Sequence, residues 1–133
     1  MPNNECIPVF EPADRVTGRI TPVGGVRGKR FVTPSADITG GLYGTENVRI
    51  AECGAGVKAL GVAAYDGVQN EEIPLITDHS WVPMPAGAAI TAGQEVQSDA
   101  TGRPIPLAAG RPNGLALTSQ AVVDADVLIK LYS

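Results

Sequence analysis

The sequence predicts an all-β fold, a small β-barrel or β-tulip-like domain with two related halves, an extended N-terminal arm and very little helix. Three observations predict it. The 133 residues include 16 Gly and 11 Pro, about twice the usual share, so the chain turns often. Short apolar words recur at close spacing, several in strict alternation with polar residues. No window keeps apolar residues at i, i+3, i+4 and i+7 without a Gly or Pro between them.

The elements follow in order. Residues 1–13 hold Pro2, Pro8 and Pro12 around the apolar word Ile7-Pro8-Val9-Phe10, which suits an extended arm because proline fixes φ and keeps its predecessor extended. Such an arm either seeks a partner surface or tucks onto its own core. A single domain then spans 14–133, a length that buries a real core unaided. From Asp14, Val16, Gly18 and Ile20 alternate with Arg15, Thr17, Arg19 and Thr21, the period of a sheet with one wet face. Further strands are expected at 29–33, 47–52, 57–65, 72–76, 79–84, 94–98, 103–107, 114–118 and 127–132. Pro74, Pro83, Pro104 and Pro106 lie inside these runs and point to sheet edges, bulges or brief strands. The best helical candidate is one turn near 119–126.

A weak internal echo links 48–76 with 96–131. Each runs strand, small-residue turn ("CGAG" or "DATG"), strand, Gly-led apolar word and closing apolar strand. Two copies are too few for a solenoid and suit two related halves of one barrel.

Chemistry is sparse. The net charge of −4 argues against nucleic-acid binding, which needs a basic face. The cations Arg15, Arg19, Arg27, Lys29 and Arg30 cluster early and read as a solvated face or as a docking patch for an acidic protein surface. His79 is the only histidine; in Asp78-His79-Ser80 neighbouring strand residues point to opposite faces, so the run makes no triad. "ECGAGVKALG" lacks phosphate-loop spacing. Lys58 offers a faint likeness to a carrier hairpin, without the usual flanks. Cys6 and Cys53 have no metal-ligand spacing; they are either cross-linked or, as preferred, separate small thiols. Trp81 is either a core plug or an interface anchor. No apolar run approaches a membrane span and the N-terminus lacks a signal pattern, so synthesis in the cytoplasm is expected. No cofactor, metal site or catalytic group is expected.

The words "PAGAAITAGQEVQSDATGRPIPL" and "GRPNGLALTSQAVVDADVLIKLY" resemble the small capsid decoration, or cement, proteins of tailed bacteriophages. Ile90, Ala92, Gly93 and Val96 match a strand entry, residues 99–102 a turn, 114–117 an apolar word, and Val127, Ile129 and Leu131 the close. "GVRGKRFVTPSA" with "GVAAYDG" looks like an earlier unit, so the resemblance covers about 20–133. It implies a virion structural protein on the capsid exterior, trimeric, seated where major-capsid subunits meet once the shell has expanded, and reinforcing it against packaged DNA. Ile7, Val9, Phe10, Arg15, Arg19, Arg27 and Trp81 are the expected capsid or subunit contacts, with Lys29 and Arg30 as weaker members. The alternative is a small β-barrel carrier or ligand-binding domain.

Overall fold

A computed structural model describes residues 4–12, 14–38 and 47–132. Most of the segment "DITGGLYGTEN" (37–47), a longer connection in the sequence, therefore falls outside the described residues. Ten strands follow one another: β1 (Val16–Ile20), β2 (Phe31–Ala36), β3 (Val48–Glu52), β4 (Gly61–Ala63), β5 (Glu72–Ile76), β6 (Trp81–Pro85), β7 (Glu95–Ser98), β8 (Pro104–Pro106), β9 (Gly114–Ala116) and β10 (Asp126–Leu131). Every strand falls within a segment read as β from alternation or a short apolar word, except for overhangs of up to three residues at the ends of β2, β6 and β10.

The first five strands close into a barrel in the order β1-β3-β2-β4-β5. The β1–β3 pair is parallel, and β5 returns antiparallel to β1 to seal it. The last five form an open sheet in the order β6-β10-β9-β7-β8. The echoing segments 48–76 and 96–131 fall one in each unit. Their ladders differ: β4 bonds β2 and β5, whereas β9 bonds β7 and β10.

Alternation along β2, β4 and β5 explains how the units join. Val32, Ala63, Ile73 and Leu75 point into the barrel with Ile20, Val26 and Ile50. Their strand neighbours Phe31, Val62 and Ile76 point the other way and pack with Val82, Met84, Val96, Val127 and Ile129 of the sheet. These barrel strands are thus buried on both faces, which is why β4 reads as an unbroken apolar word.

Backbone contacts fasten the same seam. The 99–102 turn expected from "DATG" is present, with Gly102 at φ +83°, and its carbonyl accepts from Phe31 N at 2.9 Å. A Cβ on Gly102 would sit 2.9 Å from Phe31 O, so glycine is required both for the left-handed turn and for the close approach. Gly56 N donates to Ser98 O and Arg111 N to Gly56 O, both at 2.9 Å.

Three expectations are corrected. The segment 57–65 is strand only at Gly61–Ala63, because the buried Asn113 side chain takes Ala59 N (2.8 Å) and Val57 O (3.0 Å) and holds that stretch off any ladder. No helical turn forms at 119–126: Gln120 bridges to Ile90 instead, and Asp124 adopts φ +68°. Trp81 does not plug the core; it lies at the surface on β6. Cys6 and Cys53 are separate buried thiols in one apolar cluster, and burial pushes each thiol up to about 12.

Candidate docking surface

The arm is fitted to the body at a vacancy that a proline creates and at the free edge of β6. Extending the β4–β5 register by one residue sets Ala64 opposite Pro74, and Ala64 N donates to Pro74 O at 3.1 Å. Proline cannot return the bond, so Ala64 O is left without a strand partner. Cys6 N of the arm donates to it at 2.7 Å, and the Cys6 side chain enters the core. Farther along, Val9 N donates to Trp81 O and Trp81 N to Phe10 O, both at 2.8 Å. Before this, Asn4 Nδ2 donates to the Asp66 carboxylate at 3.1 Å. The arm thus runs from the β4–β5 connection to the edge of β6.

With its backbone so occupied, the arm turns its apolar side chains outward. Ile7 is 65% exposed, Val9 67% and Phe10 50%, and Trp81 beside them is 37% exposed. The Phe10 and Trp81 rings meet at a centroid distance of 5.5 Å, tilted by 57°, an edge-biased arrangement favoured by ring quadrupoles. Of the expected contact residues, the structure brings Val9, Phe10 and Trp81 together at the edge of β6 as an apolar ridge, which Ile7, exposed two residues upstream, extends along the arm.

The cations do not join it as a patch. Arg15 Nε donates to Glu11 Oε2 at 2.8 Å. Arg27 holds Glu52 with Nε and Nη2 at 3.0 and 2.9 Å. Lys29 pairs with Asp126 at 3.0 Å, and Arg30 Nη1 donates to Thr101 O at 3.0 Å. Arg19 stands in register between Arg49 of β3 and Glu72 of β5. These charges are spread around the barrel and largely matched within the chain.

His79 sits exposed at φ +61° in the turn before β6, while Ser80 is buried and its hydroxyl donates to Thr77 O at 2.6 Å. The two therefore do not converge. Lys58 Nζ donates to Pro112 O at 3.3 Å rather than standing at a free hairpin tip. Among the described residues, no group of His, Cys, Asp and Glu could hold a metal ion, and no helix is long and apolar enough to cross a membrane. Sequence reasoning missed the pairing of Ala64 with Pro74, which emerges only once the β4–β5 register is known.

A stiff all-β body that presents an apolar ridge on a tethered arm has the make-up of a structural binding protein. The comparisons with known proteins specify which kind. Residues 12–131 match the phage cement protein family, and the chain belongs to that family. The matched span includes Trp81 but begins after Ile7, Val9 and Phe10. Among solved structures, the chain is similar to the N-terminal base of head fibre gp8.5 of bacteriophage phi29, with a TM-score of 0.68 at 16% identity, covering 89% of this chain and 92% of that one. That likeness is one of fold. No curated protein sequence matches.

Proposed function

We propose that this protein is a virion structural component, not an enzyme, that binds the outside of the assembled icosahedral capsid and stabilises it as a trimer where major-capsid subunits meet. Family membership supports the association with the phage head, and the phi29 neighbour belongs to a head fibre. The observation that carries the docking reading is the ridge of Ile7, Val9, Phe10 and Trp81, exposed although backbone hydrogen bonds at Cys6, Val9, Phe10 and Trp81 hold the arm in place. Covering one such side chain stabilises by about 1.5–3 kcal/mol, and a backbone already ordered spares the entropic cost of docking a loose segment. A ligand that binds only the assembled lattice stabilises it by mass action, by about 2.7 kcal/mol per site at a hundredfold excess over Kd. Three linked copies would compound weak contacts through effective concentration.

Co-sedimentation with expanded, undecorated phage heads tests this reading. The wild-type protein pellets with the heads, and Ile7→Ser/Val9→Ser, which alters only exposed side chains, binds about tenfold more weakly or worse. Undiminished binding of the double variant would remove the ridge from the interface. Light scattering on the free protein reports whether trimers precede docking.

A further inference from the structure

We infer that the paired turns at 22–25 and 67–70 form a second attachment point, a knob bearing Val23 and Val68 that fits an apolar pocket with Lys or Arg at its rim on the capsid shell. This rests on the capsid-binding reading above and adds a separate surface to it. Val23 is 84% exposed and Val68 64%; Val23 is the most exposed large apolar side chain among the described residues.

The two valines sit on turns fastened to each other. Val26 N donates to Gly67 O and Gly67 N to Val26 O, both at 2.9 Å, and Gly25 N donates to Pro22 O at 3.0 Å. Gly25, at φ +77°, lies so close that a Cβ there would stand 2.3 Å from Gly67 O and 3.2 Å from Val68 Cα. Gln69 Nε2 donates to Thr21 O at 3.1 Å, tying the hairpin back to the neighbouring loop. Such reciprocal backbone bonds fix the display of two side chains that the protein's own core does not use. Apolar tips already held in place dock without the entropic cost of ordering a loose loop.

The rim gives the partner its sign. Glu71 Oε1 accepts from Val68 N at 2.7 Å, and Asp66 Oδ1 accepts from Gly28 N at 2.7 Å and from Asn4 Nδ2 at 3.1 Å. The exposed Glu71 carboxylate thus lies beside Val68, whereas the Asp66 carboxylate is turned to Gly28 and the arm. Arg27 lies within electrostatic reach of Asp66, but its guanidinium is bonded to Glu52 through two nitrogens. The knob is therefore apolar at its centre and acidic at its rim, and a complementary site carries the opposite charge.

The experiment measures binding to expanded, undecorated heads across a salt series. Val23→Ser/Val68→Ser should bind about tenfold more weakly than wild type with an unchanged melting temperature. Glu71→Gln keeps an acceptor oxygen for Val68 N and removes one charge, so it should bind more weakly at low salt and with a shallower salt dependence. Wild-type affinity in the serine variant, or an unaltered salt slope in the charge variant, would overturn the knob while leaving the ridge standing. Failure of the wild-type protein to bind heads would overturn both readings.

Discussion

At the scale of single residues, Asp99 shows how one side chain shapes the seam between barrel and sheet. Its Oδ1 accepts from Thr101 N and Arg103 N at 2.9 Å, and its Oδ2 from Arg103 Nε at 2.9 Å. Arg103 Nη1 then reaches Asp124 Oδ1 at 2.8 Å. These bonds hold the turn whose Gly102 carbonyl receives Phe31 N. Partial burial alone would raise the Asp99 carboxyl, but the two backbone N–H groups and the guanidinium outweigh it and hold the group below its ordinary value of 3.8. A carboxyl depressed in the folded state contributes stability that is present above the unfolded value and lost as pH falls through the folded one. The urea midpoint of the wild-type protein should therefore drop on acidification below about pH 4. Asp99→Asn should start lower at pH 7 and lose less over the same interval, because it has no proton to take up there. Parallel acid limbs in the two proteins would contradict this role. The residue types "DATG" made the turn legible in the sequence. The use of its carbonyl by Phe31, 71 positions upstream, was not, since no local pattern encodes that contact.

Among the strands, the prolines were the most informative letters in the sequence, and the structure shows why. Leu131 N donates to Ser80 O, so the even residues of β6 face β10 and the odd ones face outward. The outward positions are Trp81, covered by the arm, then Pro83 and Pro85, which have no N–H. On β8, Asp99 N donates to Arg103 O and Leu107 N to Glu95 O, leaving Pro104 and Pro106 as the outward positions. Gly87 N further occupies Pro104 O at 2.8 Å. Both edges of the open sheet are thereby closed to an added strand. The barrel has no edge by construction, so among the described residues neither unit offers a free strand edge for addition. Restoring the amides with Pro104→Val/Pro106→Val should cause concentration-dependent self-association, detected by light scattering, while circular dichroism keeps the all-β signature. A variant that stays as dispersed as wild type would show that something other than proline guards the edge. Pro74 is the instructive exception, a proline within a closed barrel, where the missing N–H leaves an acceptor that Cys6 fills. Its position was readable as a break in a ladder; its use by the arm required the register.

For the molecule as a whole, alternation foretold the strands but not their closure, because β1–β3 pairing joins segments some thirty residues apart and in parallel, which no short-range periodicity specifies. That closure has an energetic consequence. Phe31 packs with the sheet while Val32 next to it fills the barrel, and Val62 with Ala63 and Ile76 with Leu75 divide in the same way. Opening the sheet alone would expose the outer faces of β2, β4 and β5 together with Cys6 of the arm, and would strip Gly102 O from Phe31 N. Opening the barrel alone would remove the surface on which Val82, Met84 and Ile129 are buried. Neither unit retains a complete core without the other, so the two should melt as one. Calorimetry should give a single transition whose van't Hoff and calorimetric enthalpies agree. Phe31→Ala, which empties a fully buried position at the junction, should cost about 3–5 kcal/mol and lower the melting temperature while preserving one transition. Two separated transitions, in the wild type or in the variant, would show that barrel and sheet are independent units; one transition means that they unfold as a single cooperative unit.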